Sequence, residues 1–131
     1  MATPFFLNVV TPAGEVFSGE VDFLLVPGAE GDLGILARHA PLIAGLAIGV
    51  LRYDREGRRE KISLSGGFLE VGGNKATVLA KTAETTAMID RKRAEAAKKR
   101  AEERLRQKEG IDAARAEAAL KRAVARLKAL S

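Results

Sequence analysis

The chain changes composition abruptly near residue 84, and one packing unit cannot accommodate both halves. Twelve of its thirteen glycines and all six aromatic residues precede residue 74. From Asp90 onward the sequence is built almost wholly from Ala, Glu, Lys, Arg and Leu, residues that enter a helix at little cost. The one interruption in that run is Glu109-Gly110-Ile111-Asp112. A glycine-punctuated, β-branched segment followed by an alanine-rich one predicts two units, residues 1–84 and 85–131.

In the first unit, residues 5–10, 21–26, 48–53, 61–65, 67–71 and 76–80 are rich in Val, Ile, Leu and Phe, and turn signals such as Thr11-Pro12-Ala13-Gly14, Arg55-Glu56-Gly57 and Gly72-Gly73-Asn74 separate them. Ile62 and Leu64 alternate with Lys61, Ser63 and Ser65, the period of a half-buried strand. Short strands at this spacing suggest a β-sandwich or a flattened barrel. In the second unit, Asp90 and Asp112 can each cap a helix and Gly110 suits the position just past one. This predicts helices over about residues 91–108 and 113–129, antiparallel because the turn is tight. The fold class is thus α+β. The seams, Ala94, Ala97, Ala101 and Leu105 against Ala116, Leu120, Ala123, Leu127 and Leu130, are mostly alanine. They bury little area at roughly 25 cal/mol per Å2. Such a hairpin can either dock statically or detach.

Composition excludes several chemistries. There is no Cys and His39 is the only histidine, so thiolate sites, histidine metal clusters and acid–base dyads are not expected, and no metal ligand is assigned. The start of the chain lacks a basic segment followed by an apolar one, so no signal peptide is expected. Residues 40–51 are too short and too glycine-rich to span a bilayer. Residues 1–83 carry eight Lys/Arg and nine Asp/Glu, a balance of −1, while residues 84–131 carry fourteen and eight, a balance of +6. The helical unit therefore suits an acidic or anionic partner. A nucleic-acid-binding module is the first rival, but acidic residues interleave with the basic ones and no aromatic offers a stacking surface in the helices. No nucleic-acid partner is expected.

Four blocks carry a resemblance: Phe17-Ser18-Gly19, Glu30-Gly31-Asp32-Leu33-Gly34-Ile35-Leu36, His39-Ala40-Pro41-Leu42 and Ser65-Gly66-Gly67-Phe68-Leu69-Glu70-Val71. In order and spacing they resemble the epsilon subunit of bacterial F-type ATP synthases. The resemblance implies a ten-stranded β-sandwich followed by an antiparallel two-helix hairpin. It implies a non-catalytic subunit of the central stalk, bound to the gamma subunit and the c-ring and reaching the alpha and beta subunits of the catalytic head. It also implies a peripheral position on the cytoplasmic face of the cell membrane. Glu30, Gly31 and Asp32 would contact the c-ring, and His39 and Leu42 the gamma subunit.

Ile89-Asp90-Arg91-Lys92-Arg93-Ala94 is similar to the Ile/Leu-Asp-x-x-Arg-Ala motif by which some of these subunits bind ATP. Glu84, Arg100, Arg122 and Arg126 occupy the outlying positions of that site. Arg93 and Arg100 lie two turns apart on one helix and Arg122 and Arg126 one turn apart on the other, so antiparallel pairing can bring their guanidinium groups together around a polyphosphate. Ile89 and Ala94 would wall the adenine, while Glu84 and Asp90 would accept hydrogen bonds from base or ribose. No GxxxxGK[ST] loop or other hydrolytic motif accompanies it, so ATP would be a conformational ligand, with or without Mg2+. It would select a folded hairpin over one extended into the catalytic head, where it inhibits hydrolysis. The alternatives are the same subunit without ATP sensing and solvated arginines that bind nothing.

Overall fold

Alternation builds the first strand: Phe5, Leu7 and Val9 are buried while Phe6 stands out, as a two-residue period requires when one face meets a core. The computed structural model describes residues 3–107 and 110–131. In chain order it contains β1 (Phe5–Thr11), β2 (Gly14–Val21), β3 (Phe23–Gly28), β4 (Gly31–Ile35), β5 (Leu42–Arg55), β6 (Arg58–Gly72), β7 (Lys75–Ala80) and β8 (Ala83–Thr85). A 3-10 turn (Thr86–Met88), α1 (Arg91–Arg106) and α2 (Ala113–Ala129) follow.

Strand order along the sheet is β2-β1-β7-β6-β5-β3-β4, with β8 also on β6. All pairings are antiparallel except β1 with β7. The described residues thus form eight strands, where ten were expected. The difference lies in the two long strands. The first half of β5 pairs with the second half of β6, which carries β7; the other halves pair with each other and carry β3 and β8. Each long strand therefore serves both layers of the sandwich, and ten is reached only by counting it twice. The two layers share one core, with Leu7, Leu24, Leu51, Ile62, Leu69 and Val78 fully buried. Phe17 of β2 closes over Tyr53 of β5, ring centroids 4.5 Å apart.

The crossing point of β6 depends on glycine. Gly66 and Gly67 have φ of 92° and 146°, and a Cβ on Gly67 would lie 2.2 Å from the Leu79 carbonyl oxygen. Only a residue without a side chain permits that approach.

Asp90 and Asp112 cap the helices as expected, each Oδ1 accepting from the backbone N–H three residues on, at 3.1 Å. The end expected for the first helix, residue 108, lies outside the described residues. Ala94 and Ala101 of α1 and Ala116 and Ala123 of α2 are buried, while Leu105, Leu120, Leu127 and Leu130 are half-buried. A second stripe on α2, Ala125 and Ala129, packs on Val50 of β5 with Ile48 and Ile89 alongside. The hairpin thus rests on the sandwich through α2, and α1 lies chiefly against α2.

Candidate functional site

The site grows from the connection between sheet and hairpin. After β8 the chain makes its 3-10 turn, and Ile89 tucks in beside Val50, Ala125 and Ala129. Asp90 then opens α1. Between the β7–β8 connection, the 3-10 turn and both helices lies a cavity of about 440 Å3. Thr82, Glu84 and Met88 line one side of it, Asp90, Arg93, Ala94, Ala97 and Arg100 another, and Arg126 enters from α2. Ala94 and Ala97 present only methyls, which leaves room where longer side chains would fill the seam.

Six of the eight expected ligand residues line this one cavity: Glu84, Asp90, Arg93, Ala94, Arg100 and Arg126. Two do not. Ile89 is engaged in the helix–sheet contact. Arg122 lines a separate cavity of about 500 Å3 with Arg104, Arg115 and residues of the interhelical turn. The helix explains the split. Arg122 precedes Arg126 by one turn, about 6 Å along the axis, and antiparallel pairing sets that turn nearer the loop than the start of α1. Thr82, Met88 and Ala97 were not anticipated as lining; an apolar Met directly before the Ile89-Asp90 motif was the only hint of the second, and Ala97 reads only as part of the helix seam.

The electrostatics favour a polyanion with a polar edge. Three guanidinium groups share the lining with two carboxylates. Arg126 Nε donates to Glu84 Oε1 at 2.6 Å in a part-buried ion pair, which joins α2 to β8 and leaves the second Glu84 oxygen able to accept. Asp90 spends Oδ1 on its cap. Arg93 and Arg100 form no salt bridge among the described residues.

The remaining expected contacts lie on the sandwich. Glu30 is exposed at the tip of the β3–β4 turn, next to Gly31 and Asp32 at the start of β4. A Cβ on Gly28 would meet the Gly31 carbonyl at 2.3 Å, so the turn is drawn tight and projects its carboxylates. His39 is exposed in the β4–β5 loop, its Nδ1 2.7 Å from the Ala40 carbonyl. Asn74 Oδ1 accepts from the N–H of Arg38, whose φ is 62°. Leu42, however, turns inward against the core, and its neighbour Ile43 is 76% exposed. Val10, Leu79 and Phe68, in register across β1, β7 and β6, extend an apolar outer face on which Phe68 is 61% exposed.

The chain thus has two parts, a glycine-dependent sandwich and an alanine-seamed helical pair docked on it. Residues 4–86 match the ATP synthase delta/epsilon chain beta-sandwich domain, and residues 88–131 match the delta/epsilon chain long alpha-helix domain. The chain belongs to the epsilon-chain family of F-type ATP synthases. It is 56% identical over 112 residues to the ATP synthase epsilon chain of Desulfitobacterium hafniense (strain DSM 10664 / DCB-2), covering 86% of this chain and 85% of that one. It is 57% identical over 105 residues to that of Carboxydothermus hydrogenoformans, covering 80% and 78%. In fold it resembles a chain of the Euglena gracilis mitochondrial ATP synthase OSCP/F1/c-ring structure, with TM-score 0.85, 22% identity, and coverage of 100% of this chain and 84% of that one. It also resembles one in the central stalk/c-ring of the Tetrahymena thermophila enzyme, with TM-score 0.63, 15% identity, and coverage of 99% and 98%. Among the described residues no helix is long and apolar enough to cross a membrane.

Proposed function

We propose that this chain is a non-catalytic, regulatory subunit of the ATP synthase central stalk whose helical hairpin binds ATP as a conformational ligand. The observation that carries the proposal is the convergence of Glu84, Asp90, Arg93, Ala94, Arg100 and Arg126 on one cavity between sheet and hairpin. Arg93 and Arg100 take the phosphates, Glu84 accepts from the amino edge of adenine, and Arg126 holds Glu84 while facing the ligand. Mg2+ accompanies the phosphates or is dispensable, since the arginines already neutralise charge. Arg122, one turn away, contributes only by swinging across.

ATP bound here touches both helices and the sandwich side at once, so it stabilises the folded hairpin alone. At one hundred times its dissociation constant it adds about 2.7 kcal/mol to that form, enough to decide a docking equilibrium that rests on alanines. Released, the basic helices extend along gamma toward acidic surface of the alpha and beta subunits and inhibit hydrolysis. The sandwich docks on gamma through the apolar outer face and His39, and on the c-ring through the Glu30-Gly31-Asp32 turn. The protein thereby sits peripherally at the cytoplasmic face of the cell membrane and takes part in coupling proton flow to ATP synthesis.

Calorimetric titration of the intact chain tests this, with and without Mg2+. Saturable binding below millimolar ATP, weakened about tenfold or more by Arg93→Ala, is expected. No binding up to millimolar ATP refutes the sensing role. In that event a hairpin that regulates without nucleotide is the second reading, favoured by the Glu84–Arg126 ion pair, which itself fastens α2 to the sandwich.

A further inference from the structure

We infer that Met88 is the platform for the flat face of the nucleobase, and so the residue that separates base recognition from phosphate recognition in the hairpin cavity. The inference rests on the nucleotide reading of that cavity and adds a residue and a role to it.

Met88 ends the 3-10 turn between β8 and α1, is 57% exposed, and lines the cavity beside Glu84. Of the large exposed apolar residues among the described ones, Met88 alone lines this cavity; the others, Ile43, Phe68 and Leu79 among them, belong to the sandwich. Within the cavity Met88 is the one residue with an extended apolar body, because Ala94 and Ala97 offer single methyls and the rest are polar or charged. The motif would assign the base wall to Ile89, but Ile89 is committed to Val50, Ala125 and Ala129. A polarizable thioether suits an aromatic ring. Glu84, four residues earlier, stands ready for the amino edge of the same base. Arg93 and Arg100 lie about 10 Å apart along α1, a span that suits the length of a polyphosphate chain.

The test is titration calorimetry on the intact chain and on Met88→Ala and Met88→Leu, with ATP and with inorganic tripolyphosphate. Met88→Ala should weaken ATP about three- to tenfold and leave tripolyphosphate unchanged, while Met88→Leu, which keeps the apolar body without the sulfur, recovers part of that loss. Thermal melts should coincide, because the side chain supports no core. The inference is overturned if Met88→Ala leaves ATP affinity unchanged, or weakens both ligands alike. An unmodified chain that binds tripolyphosphate as tightly as ATP also overturns it, since no base is then read. Binding of neither ligand removes the nucleotide reading itself, and this inference with it.

Discussion

Replacing Val50 with alanine should weaken the docking of the hairpin while sparing the sandwich. Val50 and its neighbours Leu51 and Tyr53 are all buried, yet in different places. Leu51 and Tyr53 belong to the sandwich core, whereas Val50 faces Ala125 and Ala129 on α2. Truncation to alanine removes two methyl-sized groups, about 0.8 kcal/mol each. Two facing alanines cannot expand to close the gap, so the cost rises from about 1.6 toward roughly 2.5 kcal/mol. At 1.4 kcal/mol per factor of ten, the docked form loses at least about 15-fold against the undocked one. Hydrogen exchange on the full chain reads this directly. Amides of α2 should exchange roughly 15-fold faster, and those of β1 and β7 should not change. Saturating ATP should restore most of the protection. Unaltered α2 exchange would show that the contact does not hold the hairpin. Equal acceleration in β1 and β7 would place Val50 in the core instead.

Three further outcomes follow from particular residues. Gly67→Ala should cost more than about 3 kcal/mol in urea denaturation, because its Cβ meets the Leu79 carbonyl at 2.2 Å with φ of 146°; Gly72→Ala, with nothing within 4 Å, should cost less than about 1 kcal/mol. Arg126→Ala should weaken ATP roughly tenfold or more by removing a cation and leaving Glu84 without its partner, whereas Arg122→Ala should change affinity less than about threefold, as calorimetry will show. The hydrogen bond from Arg59 holds the Asp54 carboxyl below its usual range, so this cross-strand pair stabilises the fold above the ordinary carboxylate pKa and ceases to do so as pH falls through the lowered one. Asp54→Asn should therefore lower Tm slightly at about pH 7, and the difference should shrink as pH falls through the lowered pKa, a small effect because both side chains are largely solvated.

Legibility varied with how strongly a segment's pattern is tied to one environment. Residues 5–10 and 76–80 read plainly as strands because one face is core and the other is not. β2 escaped: it is an edge strand whose residues are mostly exposed or half-buried, so no alternation marks it. β5 was legible only over residues 48–53, for a different reason. Ile48, Val50, Leu51 and Tyr53 face two apolar environments, the core on one side and α2 on the other, and a strand buried on both faces shows no period. The same ambiguity hid the outward turn of Ile43 beside Leu42. On α2, nothing in the sequence distinguishes Ala125 and Ala129 from neutral helix filler, since alanine is favoured in any helix whether or not it packs.

What the sequence determined by itself was everything local: the break between strand and helix grammar, the aspartate caps, the glycines at turns, the excess of positive charge in the last third and the family signatures. These depend on neighbours a few residues apart, whose geometry the backbone dictates. Tertiary structure alone decided which guanidinium groups meet, that Arg126 faces Glu84 while Arg122 looks elsewhere, that Ile89 is spent on the sheet, and that two long strands serve two layers. Those outcomes turn on the offset between two helices and the depth at which α2 settles on β5. A shift of one turn moves a side chain about 5 Å, and no pattern along the chain records it.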